Sequence, residues 1–113
     1  MIIITGLLNT CELKEMAAGI FGDMVKAVVD VENELVAVDA ELHSDLEALL
    51  LEKGSKQKNL WGINIYPEIQ GDEWIEFDSM INMRPSQGNK SRGVDSEDLR
   101  RKILGIIKKR IGR

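Results

Sequence analysis

The stretch LWGINIYPEIQGDEWIEFDSMINMRPSQGNKSRG, residues 60–93, decides the fold. Trp61, Ile63 and Ile65 alternate with Gly62, Asn64 and Tyr66. After a turn around Gln70-Gly71-Asp72, Ile75, Phe77, Ile81 and Met83 alternate with Trp74, Glu76, Asp78, Met80 and Asn82. A period of two is the signature of a half-buried strand. Closing the two arms into a hairpin puts Ile65 opposite Phe77 and Trp61 opposite Ile81. Apolar side chains then share one face, while Asn64 opposite Asp78 and Tyr66 opposite Glu76 share the other. Trp61 belongs to the apolar set. Trp74 falls on the polar face beside Tyr66, where a pair of rings could stack a partner group.

Upstream, residues Met24 to Glu41 keep the same period. A tight turn at Asn33-Glu34 sets Val31 against Val36, Val29 against Val38 and Ala27 against Ala40. The reverse face, with Lys26, Val28, Asp30, Glu32, Leu35, Ala37, Asp39 and Glu41, is mixed and acidic, and is read as solvated. Three helices flank the hairpins. Asn9 and Glu12 form a capping pair for residues 10–21, with Leu13, Met16, Ala17 and Ile20 on one side. Ser44 and Glu47 have capping-box spacing ahead of Leu46, Leu49 and Leu50, and Gly54 stops that helix. The last helix starts at Asp95 or Ser96 and repeats Leu99, Ile103, Ile106, Ile107 and Ile111 at steps of three and four. Ile2-Ile3-Ile4 reads as a short strand. The expected architecture is α+β: two hairpins forming a mostly antiparallel sheet, with room for the N-terminal strand, and three helices packed on one face of it. No linker or repeat divides the chain, so residues 1–113 are expected to form a single domain.

Composition narrows the function classes. With 113 residues, 43% of them hydrophobic, the chain can bury one core of ordinary size. The lone cysteine, Cys11, excludes an internal disulfide and CxxC frameworks, which fits a reducing cytoplasm. The apolar start is too short to span a bilayer and has no preceding basic residues. Net charge is -4, unevenly spread: residues 1–83 carry 5 basic and 16 acidic side chains, residues 84–113 carry 10 and 3. Acidic residues opening the last helix and basic ones closing it match the helix dipole, which accounts for part of this pattern. A pI near 5.0 argues against nucleic acid as a partner.

The densest chemistry lies at the end of the quoted stretch. Arg84, Ser86, Gln87, Asn89, Ser91 and Arg92 share a loop with Gly88 and Gly93, just ahead of a helix N-terminus. Arginine forks match carboxylate or phosphate, and glycine turns let backbone amides cradle an anion. No GxxxxGK[ST] or GxGxxG string is present. Beside the loop, Glu76 and Asp78 project from one strand to the same face as Asn64 and Tyr66. The leading expectation is a binding domain that holds a small anionic molecule or an acidic protein segment through the loop and the adjoining polar face. One alternative is a divalent-metal protein or metal-dependent enzyme in which Glu76 and Asp78 hold Mg²⁺ or Ca²⁺. Another is an interaction module forming a homodimer. His43, the one histidine, could act as a base aligned by Asp45 or Glu41, but no serine or cysteine nucleophile converges on it.

The wording LHSDLEALLLEKGSKQKNLWGINIYP and FDSMINMRPSQGNKSRGV, with the MIIITG start and the VVDVE segment, resembles a small uncharacterised family of bacterial and archaeal proteins, a domain of unknown function. The resemblance implies a stand-alone domain and transfers no catalytic residue.

Overall fold

Alternation and capping place the elements, and a computed structural model describes all 113 residues. In chain order they are β1 (Ile2–Ile4), β2 (Leu8–Asn9), α1 (Thr10–Ile20), β3 (Val25–Asp30), β4 (Leu35–Val38), α2 (His43–Glu52), β5 (Leu60–Ile65), β6 (Ile75–Glu76), α3 (Glu97–Arg110) and β7 (Ile111–Gly112). Short 3-10 turns occupy Gln57–Asn59, Asp72–Trp74, Met80–Asn82 and Pro85–Gln87. The main sheet is antiparallel throughout, in the order β1-β4-β3-β5-β6, and β2 pairs with β7 in a small parallel ladder. The fold class is α+β.

The expected cap of α1 forms as a reciprocal pair. Glu12 N–H donates to Asn9 Oδ1 at 2.8 Å, and Asn9 Nδ2 donates to Glu12 Oε1 at 3.1 Å. Ser96 caps α3 by accepting from Leu99 N–H. These helices cover one face of the sheet, where Leu13 and Ala17 of α1 and Ile103, Ile106 and Ile107 of α3 meet Ala27, Val29, Val36, Val38, Trp61, Ile63 and Ile65.

The second helix departs from expectation, for it packs on the opposite face. Leu46 and Leu50 are wholly buried there against Val28, Ala37 and Leu60, each contributing about 2 kcal/mol of apolar burial. The face read as solvated is therefore half of a second core. The start of α2 also differs. Leu42 is its N-cap, with no side-chain cap bond, and Ser44 lies inside the first turn. The imidazole of His43 anchors this end instead, its Nε2 within 2.8 Å of the Ile63 carbonyl oxygen.

Both hairpins pair two residues away from the expected register; their paired residues keep the expected faces, but Ile81, expected opposite Trp61, packs in the second core beside Val28 and Leu60. Ala27 meets Val38 and Val29 meets Val36, because the connection runs from Val31 to Glu34 rather than turning on two residues. Asp30 causes this. Its Oδ1 accepts from Glu32 N–H and Asn33 N–H at 3.0 Å each, and its Oδ2 accepts from the Asn33 amide and the Ser55 hydroxyl. Burial pushes the Asp30 pKa up, but the Ser55 hydroxyl and the Asn33 and Glu32 donors outweigh it and hold the carboxyl below the usual carboxylate value.

In the second hairpin Asn64 pairs with Glu76 and Ile65 with Ile75, and β6 ends there. Beyond it the side chain of Asn82 stands in for a strand. Gly62 N–H donates to Asn82 Oδ1 at 2.8 Å, and Asn82 Nδ2 donates back to the Gly62 carbonyl at 2.9 Å. The approach is close enough that a Cβ on Gly62 would lie 2.6 Å from Ser79 Cβ and Oγ, so only glycine fits. Trp74 also departs from expectation. The Asp72–Trp74 turn swings its ring into the main core, where it is 3% exposed and lies under the Arg113 guanidinium.

Candidate functional site

The Arg84 to Asp95 segment is held almost entirely by its own polar groups. Arg84 donates to the carbonyls of Gln57 and Leu60 and stacks 4.0 Å from the Trp61 ring centroid. Burial lowers its pKa. Gln87 Nε2 donates to the Lys58 carbonyl. Asn89, 4% exposed, donates Nδ2 to the carbonyls of Asn82, Ser91 and Gly93, and its Oδ1 accepts from Asp95 N–H. The loop is occupied by a carboxylate of the chain itself: Asp95 accepts from the Ser91 hydroxyl and from Lys90 N–H at 2.8 Å, while the amides of Gly88 and Gly93 bond within the loop. Those donors, the Ser91 hydroxyl first, hold Asp95 below the usual carboxylate pKa. Arg84, Gln87, Asn89 and Ser91 are thus joints of the scaffold, and Ser86 lies exposed outside the site.

The other expected residues converge. A groove of about 400 Å³ opens between the N-terminal end of α2 and the polar face of β5 and β6, and Asn64, Tyr66, Glu76, Asp78 and Arg92 all line it. Lys26, Asn64 and Glu76 form a transverse row, since Lys26 is the ladder partner of Asn64 and Asn64 that of Glu76. Neighbouring strands lie about 4.8 Å apart, so the row spans roughly 10 Å between its outer Cα atoms. Asn64 Nδ2 donates to Glu76 Oε1 at 2.8 Å and weakly to the Asp78 carbonyl, and the Tyr66 hydroxyl donates to the same Glu76 oxygen at 3.3 Å. Burial raises the Tyr66 pKa, and the Glu76 charge adds to the effect. Arg92 Nε donates to Asp78 Oδ1 at 2.8 Å across the rim.

Two features at the floor stand out. Asn64 is 6% exposed, and its Oδ1 is covered beside the His43 ring without a close hydrogen bond. His43, 7% exposed, forms the adjoining wall. Burial pushes its pKa down and Lys26 pushes the same way, against the opposing pull of the Ile63 carbonyl, Asp78 and Asn64.

Lys26, His43 and Ser44 enter the groove without having been singled out as ligand-binding groups. The signal for Lys26 was strand parity: it shares the even-numbered face of β3 that continues through Asn64 to Glu76. For Ser44 there was none, because the placement of α2 on this face is a tertiary fact. Glu76 and Asp78 do share the groove, each already bonded to donors. No group of three or more His, Cys, Asp or Glu side chains gathers as a metal site. A second groove of about 410 Å³ lies near Trp74, but its cations are engaged: Arg113 donates to the carbonyls of Ile69 and Gly71, and Lys108 lies 3.9 Å from Asp72. No helix is long and apolar enough to cross a membrane.

Comparison of the chain with curated proteins and with solved structures finds no match. A family model does match, over residues 2–110, and the chain belongs to that family, described as protein of unknown function (DUF5674).

Proposed function

We propose that this chain is a small binding domain whose ligand, a small molecule carrying an anionic group, lies in the groove over Asn64. The anionic end faces Lys26, the Ser44 hydroxyl and the first-turn N–H groups of α2, which has no side-chain cap bond. Arg92 closes the rim from the far side. A groove of this volume suits a small molecule better than a protein segment. The exposed thiol of Cys11 fits a reducing, cytoplasmic setting.

The polar wall carries the reading. Lys26, Asn64 and Glu76 stand side by side across three strands, and the groove they line also takes in Asp78, Arg92 and the start of α2, so both signs of charge face one small cavity. The test is a titration followed by amide NMR with acetate, succinate and inorganic phosphate. The expected result is that at least one anion shifts the resonances of His43, Ser44 and Asn64, and that Lys26→Met weakens binding about tenfold or more, a loss of 1.4 kcal/mol or above. Shifts absent for all three anions, or unaffected by Lys26→Met, would refute the anionic seat.

A further inference from the structure

We infer that the ligand is a free amino acid with an apolar side chain, its carboxylate held at the Lys26 end of the groove and its ammonium at the Glu76 end. The inference rests on the groove reading above and narrows it to a chemical class.

The groove is not an anion site alone. Its charged groups balance, two cations in Lys26 and Arg92 against two carboxylates in Glu76 and Asp78, and the transverse row orders them as cation, amide, carboxylate. A simple anion would satisfy Lys26 and meet repulsion from Glu76, whereas a simple cation would do the reverse. A zwitterion satisfies both ends and adds no net charge to a partly desolvated site. Glu76 uses Oε1 for Asn64 and Tyr66, which leaves its charge and Oε2 for an incoming ammonium.

The side chain of the ligand is set by the lip. Leu42 is 54% exposed and Met80 65% exposed, and both border the groove beside Ile81. Two large apolar residues standing in water at the mouth of a charged cleft gain contact with an aliphatic group, and the unbranched methionine adapts to its shape. The groove of about 400 Å³ has room for a leucine or a methionine.

The experiment compares L-leucine with its two halves, 4-methylpentanoate and 3-methylbutylamine, by amide NMR titration of the full chain up to about 10 mM ligand, a range that detects millimolar affinity. Leucine is expected to shift His43, Ser44, Asn64 and Glu76 and to bind about tenfold or more tighter than either half, with Glu76→Gln and Lys26→Met each removing most of that advantage. Glu76→Gln keeps an oxygen for Asn64 and Tyr66, so its melting temperature reports separately whether the sheet edge is intact. If 4-methylpentanoate binds as tightly as leucine and depends on Lys26, the zwitterion is overturned and the anionic groove stands. If leucine moves nothing while phosphate, acetate or succinate does, the outcome is the same. If no compound moves the groove, both readings fall together.

Discussion

The loop from Arg84 to Asp95 and the groove beside it draw on the same vocabulary of arginine, serine, asparagine and carboxylate, yet one is closed and the other open. In the loop Asn89 is fully bonded and the anion seat holds Asp95, with Arg84 Nε the one covered polar atom left without a partner. In the groove the charges of Lys26 and Glu76 stand a strand to either side of Asn64 and are open to a ligand. Polar richness in a sequence therefore does not locate a binding site. What separates scaffold from site is whether the polar groups are already used by one another.

Asn89→Leu attacks the closed side hardest. It strips three carbonyls and the Asp95 N–H of their shared partner, and the expected loss is about 3 kcal/mol or more. For a chain of this size calorimetry should read it as a drop in melting temperature of roughly 10 °C or more. A fall of only a degree or two would mean that the loop is not held as described.

Arg84→Met comes next. Two bonds to carbonyls and the stacking on Trp61 disappear, with an expected cost of about 1–2 kcal/mol, while ligand affinity in the groove stays unchanged. Lost binding at an unaltered melting temperature would move Arg84 back from scaffold to site and blur the contrast.

The smallest effect concerns acid. Burial holds the folded-state pKa of His43 below its ordinary 6.5, so above about pH 6.5 folded and unfolded chains are both neutral at this residue and its contribution is complete. As pH falls from there toward the lower folded value, the unfolded chain takes up the proton first and stability declines. His43→Gln should flatten that part of the melting profile. An unchanged slope would show that the imidazole is not shielded as the groove wall requires.

How much of this was legible follows from what alternation can and cannot encode. The faces of both hairpins were readable, because Val29, Val36, Ile63 and Ile65 must point inward together. Register was not, because a shift of two residues leaves every face unaltered. Only the Asp30 turn and the early end of β6 select among the choices. The caps at Asn9 and Ser96 were local and visible. The placement of α2 was not local, although Val28, Leu35 and Ala37 on a supposedly wet face were a clue that something covers it. Of the expected site, the sheet residues Asn64, Tyr66, Glu76 and Asp78 and the loop residue Arg92 gather in one place. Arg84, Gln87, Asn89 and Ser91 do not join them, since composition shows which side chains could bind an anion and says nothing of carbonyls from Gln57 or Leu60 arriving to claim them first.

The carboxamide of Asn82 fills the position from which another polypeptide would bond to Gly62. A chain seeking to add itself along that border finds both polar groups of the glycine engaged, and Ser79 pressed so close that not even a methyl group fits. The seam is shut from within, so the border of β5 at Gly62 offers no place for a further strand to pair.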